Sequence, residues 1–167
     1  MIIETIFSNM LMLATFLCML ATGFILIFAI VVMPGIGTLD DRSFLRAFQV
    51  IDRVIQKNQP LFVLIWIGSV AALAIATFLG FSQLEGIGRI LILAAAILYI
   101  FGMQLPTISI NIPLNNRLQT LNFETMDETT AVAERQQFEA RWNRWNTIRT
   151  VFASVASVLL LIVVRLI

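Results

Sequence analysis

The sequence predicts an all-α membrane protein: a bundle of four transmembrane helices, with an amphipathic helix after the first span and a long fourth helix that projects from the membrane. Hydrophobic residues make up 59% of the 167 residues and charged residues only 13%, whereas about 25% charged is typical of soluble domains. Four stretches are long and apolar enough to cross a bilayer core, which takes ~20 residues of helix. Nearly all the charge lies in the two longer segments between them. We therefore interpret residues 1–167 as a single membrane domain.

The predicted spans follow these apolar stretches in order. The first ends at Pro34 and Gly35; no positive residue precedes it and it is too long for a signal-peptide core, so we expect it to be retained. Pro60 opens the second span, at a first-turn position where its missing N–H costs nothing. The predicted spans are residues 5–33, 61–81, 89–112 and 147–167, with polar loops at 34–60 and 113–146.

Small residues form stripes along the first two spans. On the second span they recur every four residues, at Gly68, Ala72, Ala76 and Gly80. On the first they are Ser8, Thr15, Cys18 and Thr22. Lipid gives no hydrophobic drive for helix pairing, so small side chains that allow close approach mark contact faces. We interpret both stripes as helix contacts, and Cys18 as a small buried residue.

Two absences from the sequence restrict its chemistry. There is no histidine and only one cysteine, which excludes histidine-ligated haem, zinc, copper or di-iron, an imidazole general base and a dithiol relay within one subunit. We therefore expect no bound cofactor or metal. The net charge of +1 argues against a nucleic-acid partner, which would require a basic face.

The distribution of Lys and Arg predicts the orientation. Of the 11 such residues, all but Arg89 and Arg165 lie in or beside the two polar loops. Cytoplasmic loops of membrane proteins carry an excess of Lys and Arg. We therefore expect an integral protein of the cytoplasmic membrane, with both loops in the cytoplasm and both termini outside.

The first polar loop is predicted to contain the amphipathic helix. Phe44, Phe48, Ile51 and Ile55 fall at helical spacing, with charged residues around the remainder. Such a helix, directly after a span, either lies in the headgroup plane or packs as a lid over the mouth of the bundle.

The second polar loop is predicted to end in a long helix. Thr125 and Glu128 have the spacing of a capping box, which predicts that a helix begins there. Neither Gly nor Pro interrupts the chain from Met126 to Ile167, so one helix can extend about 60 Å at 1.5 Å per residue. Half of that helix must then lie beyond the membrane.

Polar residues converge where the third span meets this helix. Thr107 and Asn111 continue a polar face that begins at Gln104, Pro106 should kink the helix and free a carbonyl, and residues 111–117 are predicted to form a short turn rich in amides. Such groups at a membrane boundary are costly unless they bond one another or a ligand, so Arg149 should bond an amide or carboxylate. The candidate catalytic residues are Asn111, Asn146 and Arg149, and the candidate substrate-binding residues are Gln104, Asn115, Asn116, Arg141, Trp142 and Trp145.

Two segments carry a resemblance to a known family. Asn-Ile-Pro-Leu-Asn-Asn-Arg-Leu at 111–118 and Arg-Trp-Asn-Arg-Trp-Asn-Thr-Ile-Arg-Thr at 141–150, followed by a final span, resemble the anthrone oxygenase-like family of small four-helix membrane proteins. Met33-Pro34 also fits the family's layout. The resemblance covers most of the chain in architecture, and its specific motifs occupy these segments. Most members are of unknown function, and a few oxidise anthrones to anthraquinones with molecular oxygen.

The resemblance implies a cofactor-independent oxygenase that acts on a flat, lipophilic phenolic substrate. Because the substrate's enolate can give an electron to oxygen directly, the protein needs to bind it, assist deprotonation and stabilise the oxyanion. The asparagines would donate to the oxyanion, the arginines would supply positive charge and a tryptophan would stack on the ring. Asp52, with Glu139 behind it, is the candidate base.

A non-enzymatic role is the alternative. The amides and arginines would then be structural, in an accessory subunit of a larger membrane complex or in a binder of lipid or quinone. The partners expected on either interpretation are membrane lipid, a hydrophobic small molecule or quinone, and further copies of the chain through the small-residue stripe. A transporter is disfavoured because no span carries a central acid and no inverted repeat is apparent.

Overall fold

The computed structural model describes residues 2–123 and 125–167 and confirms the predicted fold class. Its helices are α1 (Ile2–Ile36), α2 (Asp41–Gln56), α3 (Pro60–Gln83), α4 (Gly86–Gln119) and α5 (Glu128–Leu166). No β-strand occurs among those residues. All but α2 are long and apolar enough to cross a membrane, so the chain is an integral membrane protein. α2 packs on the ends of α4 and α5.

Three prolines lie inside helices, and each follows a wide, π-helical stretch. These stretches are Phe28–Val32, Leu98–Gln104 and Thr107–Asn111, which end two residues before Pro34, Pro106 and Pro113 respectively. Proline has no N–H, and its ring clashes with the carbonyl four residues earlier. A turn widened to five-residue spacing makes room for that ring. The helices therefore continue past all three prolines.

Because the helices continue past their prolines, two predicted boundaries are wrong. The sequence predicts that the first span ends at Pro34 and Gly35, whereas α1 continues to Ile36. It also predicts a turn over residues 111–117, whereas that segment is helical and extends α4 to Gln119. The amide side chains of this segment therefore project at helical spacing.

The two small-residue stripes lie at helix contacts. Their buried members are Ala72, Ala76 and Gly80 of α3 and Thr15, Cys18 and Thr22 of α1. α1 packs along α3 for much of its length, and a Cβ on Gly68 would lie 3.3 Å from Leu17 of α1. On its other side, α1 meets α5, where the hydroxyls of Thr22 and Ser157 are 3.3 Å apart. Small side chains thus bring three helices close together.

α2 packs as a lid over one end of the bundle. The ring of Phe48 lies 4.7 Å from that of Phe138 and 5.2 Å from that of Trp142, both on α5. The buried face is rotated from the predicted one, because Ile51 and Ile55 are only half-buried. The buried residues of α2 are Phe44, Leu45, Phe48, Gln49 and Asp52. The polar residues Gln49 and Asp52 are therefore buried, whereas the sequence pattern predicts Ile51 and Ile55 on the buried face.

Amide side chains fasten this lid to the end of α4. The Nε2 group of Gln49 donates to the carbonyls of Leu118 and Leu121, at 3.1 and 3.2 Å. In return, Nε2 of Gln119 donates to the Gln49 carbonyl at 3.0 Å. These bonds add side-chain donors to backbone carbonyls at and just beyond the end of α4, where helical partners run out. They also fix the rotation of α2 about its axis.

Asp127, rather than Thr125, caps α5. Its carboxylate accepts from the backbone N–H of Thr130 at 2.8 Å and from the hydroxyl of Thr129 at 2.6 Å. These bonds lower the pKa of Asp127 to about 2. The helix begins at Glu128 and runs for 39 residues, about 58 Å at 1.5 Å per residue. The predicted long helix is present, but its capping residue differs from the predicted one.

Arg135 joins α5 to the connection between α1 and α2. Its guanidinium donates to the carbonyls of Gly37 and Leu39, both at 2.8 Å, and forms ion pairs with Asp41 and Glu139 at 3.1 and 2.7 Å. The bond to Glu139 is the main reason that the pKa of Arg135 is raised above its ordinary value. This contact fixes the start of the lid against α5.

Candidate ligand-binding site beneath the lid

A ladder of polar side chains runs along one face of α4 toward its end. Its members, at four-residue spacing, are Thr107, Asn111, Asn115 and Gln119. At 1.5 Å per residue, the first and third are about 12 Å apart along the helix. The inner end of the ladder meets α5 and the outer end meets α2. The ladder therefore links Arg149, which lies deep in the bundle, with Asp52, which lies in the lid.

Arg149 lies at the inner end of this ladder. It is only 6% exposed. Its Nη1 donates to the hydroxyl of Thr107 at 3.1 Å, while Nε and Nη2 both donate to Oδ1 of Asn146, at 3.1 and 2.8 Å. The guanidinium carbon also lies 5.4 Å from the ring centroid of Trp142. Arg149 thus bonds an amide, as expected, and no carboxylate among residues 2–123 and 125–167 pairs with it.

Asp52 lies at the outer end of the ladder, and it is 2% exposed. Its Oδ1 accepts from Asn115 at 2.8 Å, and its Oδ2 accepts from Gln119 at 2.8 Å and from Gln56 at 3.1 Å. Three amide N–H groups therefore solvate a buried carboxylate, with no cation in contact with it among the described residues. A carboxylate has about four acceptor positions, so one remains on Oδ1.

A cavity of about 170 Å³ lies beneath the lid, between these two charges. Arg149 and Thr107 line it at one end, Asp52 and Asn115 at the other, and Asn111 between them. The remaining walls are apolar, formed by Phe24, Ile25, Phe28, Phe48, Ile55, Phe62, Trp66, Ile112 and Trp142. All five helices contribute to it. A few convergent polar groups in an aromatic-walled cavity are typical of small-molecule sites.

Asn111 retains an unused acceptor. The side chain is 1% exposed, and its Nδ2 donates to the carbonyl of Trp142 at 3.4 Å. Its Oδ1 has no partner within the described part of the chain. Buried amide oxygens are normally hydrogen-bonded. The middle of the cavity therefore presents a polar group that a ligand can satisfy.

A comparison with known families decides the membership of this chain. A family model described as anthrone oxygenase matches residues 48–159, which is more than half of the sequence. The chain belongs to the anthrone oxygenase family. The matched region contains Asp52, the whole polar ladder and Arg149. Comparisons with curated proteins and with solved structures find no match.

Four of the predicted site residues line the cavity of this anthrone oxygenase family member: Asn111, Asn115, Trp142 and Arg149. Asn115 and Trp142 also bond each other, since the indole N–H donates to Oδ1 of Asn115 at 2.8 Å. Asn146 lies behind the cavity, where its Nδ2 donates to the carbonyl of Ile25 at 3.1 Å while its Oδ1 holds Arg149. It positions the guanidinium and is not one of the residues that line the cavity.

The other predicted site residues lie elsewhere. Gln104 is buried one turn before the ladder and does not line the cavity, and its Nε2 has no partner among the described residues. Asn116 is exposed and accepts from Gln56 at 2.9 Å. Arg141 is exposed and Trp145 half-buried, both away from the cavity. Of the two candidate bases, Asp52 lines the cavity, whereas Glu139 pairs with Arg135.

Sequence reasoning missed most of the cavity walls. Phe62 and Trp66 lie one turn apart near the start of α3, with stacked rings 5.3 Å apart. In a membrane span, an aromatic side chain gives the same sequence signal whether it faces lipid, a neighbouring helix or a cavity. Gln119 was also missed, because a turn over residues 111–117 would have ended the four-residue repeat. Within the described residues no cluster of three acidic or cysteine side chains forms a metal-binding group.

Proposed function

We propose that the cavity binds a flat, weakly acidic aromatic compound and stabilises the enolate or phenolate formed from it there, and that the protein catalyses its oxygenation by molecular oxygen. The observation that carries this proposal is the environment of Arg149. A buried guanidinium without a carboxylate partner is costly, and this one borders an aromatic-walled cavity. It uses three of its five N–H donors in the bonds described above. An anionic ligand would supply the missing counter-charge.

The two ends of the cavity suit the two ends of an anthrone. In that molecule the carbonyl oxygen and the reactive methylene group lie at opposite corners of the central ring. With the oxygen toward Arg149, the guanidinium stabilises the charge that develops there on deprotonation, and Asn111 flanks the ring. Asp52, toward the other end, is the group we propose to accept the proton, through the free position on Oδ1.

The proposed reaction balances without a further reductant. The enolate carbon gives its electrons to O₂, and the new C–O bond becomes a hydroperoxide once a proton is added. Loss of the remaining proton from that carbon then breaks the O–O bond and releases water, which leaves a carbonyl. One anthrone and one O₂ thus give one anthraquinone and one water. The residues of the cavity bind, orient and move protons, while the substrate supplies the electrons.

The size of the cavity also bears on how a ligand enters. An apolar cavity of about 150 Å³ holds one benzene ring, so 170 Å³ accommodates only part of a three-ring molecule. Among the lining residues Ile112 is exposed, and the half-buried ones are Phe24, Phe28, Ile55, Phe62, Trp66 and Asn115. We infer that the remaining rings extend between α2, α3 and α4 toward lipid. From the distribution of Lys and Arg, we propose that this end of the bundle faces the cytoplasm.

Oxygen consumption by purified variants tests the proposal. Wild type should consume one O₂ per hydroxyanthrone above the protein-free autoxidation rate. Arg149→Gln should lower kcat by about 10²–10³, the usual effect of removing an oxyanion donor, and Asn111→Ala should also lower it. Arg144→Gln is the matched control, because Arg144 is exposed and does not line the cavity. Equal melting curves would establish that the variants are folded.

The alternative outcomes are distinct. If wild type binds a hydroxyanthraquinone but consumes no oxygen with any hydroxyanthrone, and Arg149→Gln weakens that binding, then the cavity is a non-enzymatic site for a quinone-like ligand. If folded Arg149→Gln binds and turns over as wild type does, the role given to the guanidinium is wrong.

A further inference from the structure

α2 presents cations on the side that faces away from the cavity, and no acidic residue among 2–123 and 125–167 forms an ion pair with them. They are Arg46, Arg53 and, one residue past the helix, Lys57, and all are exposed. The acidic residues described on and beside α2 are engaged elsewhere: Asp40 caps the helix by accepting from Ser43, Asp41 pairs with Arg135 and Asp52 is buried in the cavity. The outer surface of the lid is therefore positively charged.

Two of these cations border a groove of about 310 Å³ between α2 and the segment that follows α4. Arg46 makes no side-chain bond to any described residue, and Arg53 donates only to Oε1 of Gln49, at 3.1 Å. The rest of the groove is lined by Gln49, Val50, Gln119, Leu121, Asn122 and Phe123. None of the described residues lining it is acidic. Two guanidinium groups two turns apart thus flank a groove whose other described lining residues are uncharged.

Exposed apolar residues lie beside the groove, at the membrane boundary. Val50 and Val54, one turn apart on α2, are 56% and 57% exposed. Residues 57–59 alone separate α2 from Pro60, where the second span begins, so this end of the lid lies at the headgroup level. Adjacent cations and apolar side chains on a helix at that depth are typical of contact with an anionic membrane surface.

We propose that this groove binds the headgroup phosphate of an anionic phospholipid, with its acyl chains along Val50 and Val54. The planar guanidinium groups of Arg46 and Arg53 match phosphate oxygens, which they can bind in pairs. The opposite face of the same helix carries Phe48 and Asp52 into the cavity. A bound lipid therefore holds the lid in place from outside. The proposal does not depend on the reaction proposed for the cavity.

Lipid titration followed by native mass spectrometry tests this site. The full chain in a nonionic detergent is titrated with phosphatidylglycerol and, separately, with phosphatidylcholine of the same acyl chains. Each basic residue near an anionic headgroup contributes about fivefold to affinity. Arg46→Gln with Arg53→Gln should therefore weaken the first phosphatidylglycerol adduct about thirtyfold, leave phosphatidylcholine unchanged, and be partly rescued by lysine at both positions.

The matched control removes two exposed arginines of α5, as Arg141→Gln with Arg144→Gln. It should leave the first phosphatidylglycerol adduct intact, and an equal loss in this control would refute the site. Displacement of the lipid by inorganic phosphate alone would identify a phosphate site and overturn the lipid assignment. If the double variant is unstable, Arg46→Gln alone can serve as the test, because the Arg46 side chain forms no hydrogen bond or ion pair with the described residues. It should weaken the adduct about fivefold, and no change would count against the proposal.

Discussion

Replacing Gly102 by alanine tests whether the contact between α4 and α5 sets the geometry of Arg149. A Cβ at position 102 would lie 2.4 Å from Cγ and 2.6 Å from Cβ of Phe152. A change of the Phe152 χ1 angle moves Cγ but leaves the Cβ contact, because Cβ is fixed to the backbone of α5. Extending that contact from 2.6 Å to the ordinary minimum of 3.4 Å requires the helices to separate by about 0.8 Å.

The expected loss of unfolding free energy follows from this separation of α4 and α5. Overpacking of this kind typically costs about 1–3 kcal/mol of unfolding free energy. Thr107 lies five residues after Gly102, and Arg149 lies three residues before Phe152. The bond between Thr107 Oγ1 and Arg149 Nη1, now 3.1 Å, would lengthen to about 3.9 Å under the same separation, beyond hydrogen-bonding distance. Gly102→Ala should thus lower both stability and ligand affinity.

The stability of Gly102→Ala is measured by denaturant unfolding in detergent. Gly23→Ala is the control, because it distinguishes the effect of the Phe152 contact from a general effect of replacing glycine by alanine. A Cβ at Gly23 would meet nothing within 4 Å, and alanine favours the helix, so this variant should be at least as stable as wild type. Adding Phe152→Ala to Gly102→Ala should restore part of the lost stability. If Gly102→Ala unfolds at the same denaturant concentration as Gly23→Ala, the contact does not fix the spacing of the helices.

Two further predictions concern the cap of α5 and the lid. The hydrogen bonds that lower the pKa of Asp127 from 3.8 to about 2 stabilise the start of α5 above pH 3.8 and are lost as the pH falls through 2. Amide hydrogen exchange at residues 128–131 should therefore accelerate over that window, and Asp127→Ala should exchange rapidly at every pH. Gln49→Ala leaves the carbonyls of Leu118 and Leu121 without their side-chain donor. It should cost about 1–3 kcal/mol of unfolding free energy, measured against Gln136→Ala on the exposed face of α5, and equal stability of the two variants would contradict the role given to Gln49.

The spans, the amphipathic helix of the first polar loop and the long fifth helix could be predicted, because apolar length, helical spacing and the absence of Gly and Pro are properties of the sequence alone. The sequence left open whether the amphipathic helix packs as a lid. The course of the chain past its prolines could not be predicted. A proline commonly ends a helix, but the wide turn before Pro113 makes room for its ring, and α4 continues to Gln119. That continuation brings Asn115 and Gln119 into line with Thr107 and Asn111, which the predicted turn would have prevented.

The arrangement of charge in the cavity supports the proposal that a ligand binds there. Asp52 and Arg149 are both buried and border the same cavity, yet each is solvated by its own amides and they form no ion pair. Buried charges add little to stability even when they pair directly, and holding them apart adds less. A structural site has no need of two separated charges with aromatic walls and an unpaired amide oxygen between them. A site that takes a proton at one end and stabilises an oxyanion at the other needs that separation, and the region matched by the anthrone oxygenase family, residues 48–159, contains both charges.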